Sequence, residues 1–185
     1  MNRTTFEKIG KRCFLSLLIF TFVPYAEAQR VALKTNALYW ATLSPNIGAE
    51  FRLSRHFTTE IDMMCNPNKI GNLKLHFIGV EGEGRYWFSR TMIRNFIGIM
   101  AEGISHDLTI KKTNHYGDVW ALGLTYGHVW AISKRFNFEA SFGAGLIHYR
   151  DKEWDDGETE PASPNHSKTM LAPIKASLSI CYILK

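Results

Sequence analysis

Charge in this chain keeps to alternate positions. Over 46–53, Ile47, Ala49, Phe51 and Leu53 alternate with Gly48, Glu50 and Arg52. Over 57–65, Phe57, Thr59, Ile61 and Met63 oppose Thr58, Glu60 and Asp62. Over 74–88, Ile78, Val80, Tyr86 and Phe88 oppose Glu81, Glu83 and Arg85. A period of two belongs to strands, whose successive side chains face opposite sides of a sheet. No Asp, Glu, Lys or Arg falls on the apolar phase within these strand cores. The chain must therefore separate two environments, one for each sheet face.

Eight such segments are predicted, near 32–40, 46–53, 57–65, 74–88, 95–105, 118–130, 135–149 and 170–184. In the sixth, Trp120, Leu122, Leu124, Tyr126 and Trp130 oppose Ala121, Gly123, Thr125 and Gly127. In the seventh, Phe136, Phe138, Phe142 and Leu146 oppose Asn137, Glu139, Ser141 and Gly143. In the eighth, Ile174, Leu178, Ile180, Tyr182 and Leu184 oppose Lys175, Ser177 and Ser179. Lys34 and Glu102 join the polar phase of the first and fifth. Leu53-Ser54-Arg55, Phe88-Ser89-Arg90 and Ile132-Ser133-Lys134 repeat one turn device between strands. Short turns at 54–56, 89–94 and 131–134 alternate with connections at 41–45, 66–73, 106–117 and 150–169. That alternation is expected of an all-β, eight-stranded, antiparallel, up-and-down transmembrane barrel with a charged interior.

A soluble barrel would turn its apolar phase inward. Gly123, Gly127, Gly143 and Gly145 share the polar phase, however, and small residues there leave room for large charged side chains on an inward face. Phe51, Phe57, Tyr86, Phe88, Phe96, Trp130, Phe136, Phe138 and Tyr182 gather near the short turns; Tyr39, Trp120 and Tyr149 lie toward the other rim. Two aromatic belts of this kind mark lipid–water interfaces.

Residues 1–28 read as a cleaved secretory leader, with a basic start, an apolar run from Cys13 to Val23 and Ala26-Glu27-Ala28 before the cut. Residues 29–185 form the barrel domain. Losing the leader's four basic and two acidic residues lowers the formal charge from +5 to +3, which gives no reason to expect nucleic-acid binding. No apolar run of helical spanning length follows the leader. Cys65 and Cys181 would sit at opposite ends of a barrel, too far apart for a disulfide.

The predicted lumen lining is Lys34, Glu50, Arg52, Glu60, Asp62, Glu81, Glu83, Arg85, Glu102, Glu139 and Lys175. An eight-stranded barrel is narrow enough for side chains to fill, so these charges are read as an ion-paired plug. The sharper alternative is a narrow polar path or small-solute pocket, with Arg85 and Lys175 its key cations. Trp154, Asp155 and Asp156 lie in an acidic final connection and form a candidate partner loop. Its spacing fails as a calcium loop, and His106, His115 and His166 lack zinc spacing. Ser105, His106 and Asp107 are adjacent, which does not make a nucleophile–base–acid constellation. No catalytic residue, metal ligand or cofactor is expected.

Lys34-Thr35-Asn36-Ala37-Leu38-Tyr39-Trp40-Ala41-Thr42, followed by Pro45-Asn46-Ile47-Gly48-Ala49-Glu50-Phe51, resembles the opening of domain of unknown function 3575. Arg85-Tyr86-Trp87-Phe88, Tyr126-Gly127 with Trp130, Lys134-Arg135-Phe136-Asn137 with Glu139, and Pro173 with Lys175 extend the resemblance. It implies a small outer-membrane barrel of Bacteroides-type Gram-negative bacteria, some members encoded beside fimbrial components, and transfers no catalytic residue. The expected partners are outer-membrane lipid, the barrel-assembly machinery and fimbrial or surface proteins, with no nucleic acid. The expected role is structural or surface interaction. A narrow pore or small-solute binder comes second, a soluble periplasmic ligand-binding barrel third, and a membrane-embedded lipid hydrolase last.

Overall fold

In the computed structural model, which describes residues 30–70, 73–110, 113–155, 158–159 and 161–184, eight antiparallel strands follow one another and close on themselves. They are β1 (Val31–Asn36), β2 (Asn46–Arg52), β3 (Phe57–Ile70), β4 (Leu73–Trp87), β5 (Arg94–Ile110), β6 (Thr113–Ala131), β7 (Phe136–Asp155) and β8 (His166–Ile183). Each strand pairs with the next, and β1 closes the ring on β8 through Ala32↔Ile183 to Asn36↔Ser179. Closure leaves no lateral edge on the ring. The expected leader and Asp156 lie outside the described residues.

The repeated turn device works through its serine. Leu53 N and Ser54 N both donate to Phe57 O, at 3.0 and 3.1 Å, while Ser54 Oγ accepts from His56 N. Ile132 N and Ser133 N do the same to Phe136 O, and Ser133 Oγ accepts from Arg135 N and Phe136 N. The third copy differs. Its turn folds beneath the ring, with Thr91 and Met92 buried and Met92 and Arg94 at φ 64° and 63°.

Around the lower and middle ring the apolar phase faces outward, as the charge pattern requires. Leu122, Leu124, Phe142 and Ile180 are exposed, while Glu50, Glu83, Arg85 and Glu139 are buried. Phe96 is a correction. It faces inward with no exposed surface, because its neighbours Ile97 and Ile99 hold the outward phase. Ile174 is another. A bulge between Gly143 and Ala144 pairs Gly143 with Lys175 and Ala144 with Pro173, leaving Ile174 unopposed. Its side chain turns inward over Gly123, where an added Cβ would sit 2.5 Å from Ile174 Cδ1.

The other connections correct the expectation more broadly. Most of 66–73, 106–117 and the start of 150–169 is strand, because β3 to β8 run well past the ring's middle. Trp154 and Asp155 therefore end β7 and are not loop residues. Along parts of these extensions, on β4 to β7, the faces exchange character, while Asn66, His106 and Asp151 keep polar groups on the inside and Leu171 stays exposed on the outside. Lys74, His76, Asp107, Asn114, Asp118 and Arg150 stand on the outside positions; Phe77, Ile104, Leu108, Val119, Ile147 and Tyr149 take the inside ones. Alternation persists but its sense inverts, so a search for one constant apolar face reads these stretches as loop.

β1 and β2 do not share in the extension. β1 stops at Asn36, whose side chain accepts from Leu38 N and caps a one-turn helix, α1 (Ala37–Ala41), where strand was expected. Asn66 Nδ2 donates to Thr42 O and Ser44 Oγ, and Asn68 Nδ2 to Leu43 O, so the connection is stitched to β3. On the other side, Asn36 reaches Leu178 N and Ala176 O. Above that level β8 pairs with β7 alone.

Candidate functional site

The register sets carboxylates beside one another. Glu50 lies opposite Glu60 and Glu60 opposite Glu83; Asp62 lies opposite Glu81 and Glu81 opposite Glu102. Like charges directly opposite destabilise a sheet, so this arrangement needs cations. Lys34, from β1, puts Nζ 2.8 Å from Glu50 Oε2, 2.6 Å from Glu60 Oε2 and 2.5 Å from Glu139 Oε2. Arg85 spreads its guanidinium over the same acids, with Nη1 2.5 Å from Glu60 Oε2 and Nη2 2.8 Å from Glu83 Oε2. Lys175 Nζ stands 2.7 Å from Glu83 Oε2 and also bridges to Glu81, while Thr125 Oγ1 donates to Glu83 Oε1. The planar Arg85 fork and the compact Lys34 and Lys175 ammoniums are each shared among several carboxylates.

Lys34, Glu50, Glu60, Glu81, Glu83, Arg85, Glu139 and Lys175 thus form one ion-paired cluster across the ring. Asp62 and Glu102 sit on the same inner face. Asp62 borders a cavity of about 20 Å³ with Glu60, Glu81 and Lys175. Arg52 falls outside the cluster: at the turn end of β2 its Nε donates to Ser54 O at 3.2 Å. Its phase is inward, but its height is wrong for the network.

An apolar floor lies below the cluster. Trp87, Phe96 and Val129 pack together, with Trp87 and Phe96 rings 4.8 Å apart and Trp87 Nε1 donating to Thr58 Oγ1. Arg85 Cζ stands 4.3 Å from the Phe96 ring centre, so the guanidinium stacks on the floor from above. Asn137 Nδ2 donates to Met92 O and holds the β4–β5 turn beneath. Trp87 and Phe96 are apolar residues on the inward phase of β4 and β5, so alternation of charge does not reveal this layer.

Above the cluster a cavity of about 400 Å³ opens, lined by Tyr39, Met64, Phe77, Ile104, His106, Leu108, Val119, Ile147, Tyr149 and Asp151. Tyr39 and Tyr149 therefore line the interior and leave the expected aromatic rim to Trp120 and Trp40, both exposed. Burial, with the Glu102 and Glu81 carboxylates behind it, pushes the Tyr39 phenol up and keeps it a neutral hydroxyl. At the mouth, histidines far apart in sequence approach acids on β7. His106 Nε2 is 3.3 Å from Asp151 Oδ1, and His115 Nδ1 and His166 Nε2 each stand 3.8 Å from Glu153 Oε2. Sequence spacing could not show this, because three different strands bring the groups together.

Glu50, Glu60 and Glu139 have metal-like spacing, but the Lys34 ammonium already occupies their centre. Ser105 and Asp107 face outward and His106 inward, so this adjacent triple does not converge. Cys65 and Cys181 are free thiols. No helix among the described residues is long and apolar enough to cross a membrane, which leaves strands untested as spans.

No curated protein and no solved structure matches the chain. Residues 13–184 match the family described as Protein of unknown function (DUF3575). With its eight-stranded ring spanned by that match from β1 to β8, the chain belongs to the DUF3575 family.

Proposed function

We propose that this protein is a plugged β-barrel of a Gram-negative outer membrane, exported through a cleaved leader, with a structural or surface-interaction role and no catalysis. One observation carries the reading. The outward apolar band runs from Ile78 to Phe88 on β4, Trp120 to Trp130 on β6 and Phe136 to Leu146 on β7. Ten residue steps at about 3.3 Å, tilted by about 40°, span about 25 Å, the height of an outer-membrane barrel's apolar band. Water would face that band unfavourably over its whole circumference, whereas lipid would not.

The partners follow from this placement: membrane lipid around the band, barrel-assembly machinery at insertion, and fimbrial or surface proteins at the polar extension. The last rests on the family resemblance. The ion-paired cluster fixes the ring from within and fills it.

Membrane fractionation, heat-modifiable gel migration and planar-bilayer recording test the proposal together. The expected result is a urea-resistant membrane protein whose unboiled form migrates faster and which passes no unitary current. A monomer freely soluble without detergent would overturn the membrane placement. Steady single-channel steps would replace the plug with a pore.

A further inference from the structure

The cavity above the ion pairs has the makings of a ligand site. Its volume of about 400 Å³ falls in the common range for small-molecule pockets, about 300 to 1,000 Å³. Phe77, Ile104, Leu108 and Val119 make its wall apolar. Besides the Tyr39 and Tyr149 hydroxyls, its polar groups are His106 and Asp151, which meet at the mouth. Asp151 Oδ1 is buried and makes no hydrogen bond, although His106 Nε2 lies 3.3 Å away. Gly117 stands opposite Asp151 in the register, and an added Cβ there would lie 2.4 Å from that oxygen. The carboxylate thus leans across space that only glycine leaves open. A buried acceptor of this kind wants a donor.

We propose that this cup binds a small amphiphile with an apolar tail and a hydrogen-bond-donating head, an ammonium or a hydroxyl. The tail lies against Phe77, Ile104, Leu108 and Val119. The head meets Asp151 Oδ1 at the mouth. An anionic head is disfavoured, because it would face a carboxylate. The low wall at β1 and β2 gives a sideways approach past α1, where Leu38, Trp40 and Leu43 are exposed. Drawing the ligand from lipid or from water leaves this chemistry unchanged. The inference rests on the cavity and not on the membrane placement.

Decylamine and decanoate, which share a tail length class and differ in head, are the probes. Native mass spectrometry of the whole protein released from detergent micelles reads their adducts. One decylamine per chain is expected, favoured at least ten-fold over decanoate. Val119→Trp and Ile104→Trp, which fill the cup, should each lower decylamine occupancy at least ten-fold. Leu122→Trp, on the outer face, should leave it unchanged. Asp151→Asn should keep tail binding and abolish the preference for the amine. Heat-modifiable migration verifies that each variant is folded; should both filling variants fail it, Asp151→Asn decides. No wild-type adduct, equal binding of both heads by the wild type, or an unchanged preference in Asp151→Asn overturns the proposal. Undiminished binding by a folded Val119→Trp does so too. Adding the probes from vesicles and from buffer separates the two sources, and a vesicle-flotation assay reports on membrane placement separately from binding.

Discussion

Lys34 illustrates how much one side chain can hold in a narrow ring. Its ammonium is within 2.8 Å of acids from β2, β3 and β7. Removing one partner of a buried ion cluster leaves the others uncompensated, at about 3–5 kcal/mol. Lys34→Met keeps the stem's bulk and removes only the charge. It is expected to lose about that much stability, read from the urea midpoint of the heat-modifiable band, while Lys74→Met on the outer wall should cost under about 1 kcal/mol. Equal shifts for the two would show that the inner cluster carries no special load. Lys34 fits the polar phase expected of a lumen cation, but as the one charge of a weakly alternating strand its phase carries little weight by itself. Its partners were readable as a set but not as a pairing, since pairing depends on register and height. Arg52 shows the limit: it has the right phase but lies two residues beyond Glu50, at the turn end of β2, where it bonds Ser54 O.

At the scale of elements, the floor and the extensions were the illegible parts. Period-two patterning assigns faces only while the two surroundings stay the same along a strand. β5 breaks that condition twice. Phe96 packs inward at the bottom, Glu102 faces inward at mid-height, and Ile104 and Leu108 face inward above. A single rule therefore found the middle of β5 and lost both ends. The same reason turned 106–117 into an expected loop and hid the cup. β8 needed a different signal, since the bulge that reorients Ile174 comes from a register shift no alternation count records. The floor's contribution is testable. Trp87→Ala empties a fully buried site and should cost about 3–5 kcal/mol, lowering the midpoint of the heat-modifiable band. Trp130→Ala, on the exposed face, should cost much less in detergent. A Trp87→Ala stability within about 0.5 kcal/mol of wild type would show that the ion pairs alone close the lower end.

For the whole molecule, the proposed span makes a prediction that no single residue does. A band about 25 Å tall matches a thin bilayer, and each ångström of mismatch costs a fraction of a kcal/mol. Folding yield in vesicles should therefore be highest when the hydrocarbon thickness is near 25 Å and fall steadily as acyl chains lengthen. A yield indifferent to chain length would count against the band as the lipid-facing surface. In the proposed span, the polar outer wall of the extension would set the upper stop, and the serine turns with Arg55 and Lys134 the lower one.

The seam between first and last strands joins over only five residue pairs, from Ala32↔Ile183 to Asn36↔Ser179. Lys34 sits in the middle of it, opposite Cys181. Glu139, two staves back on the far side of that seam, receives this ammonium only when the cylinder has shut. Lys34 meets Glu50 and Glu60 on the neighbouring β2 and β3 without the seam, but its contact to Glu139 and the completion of the circle go together. β8, the final stave, carries Lys175 across to Glu81 and Glu83 on β4, so shutting the cylinder delivers the last cations to acids that an open sheet leaves only partly answered.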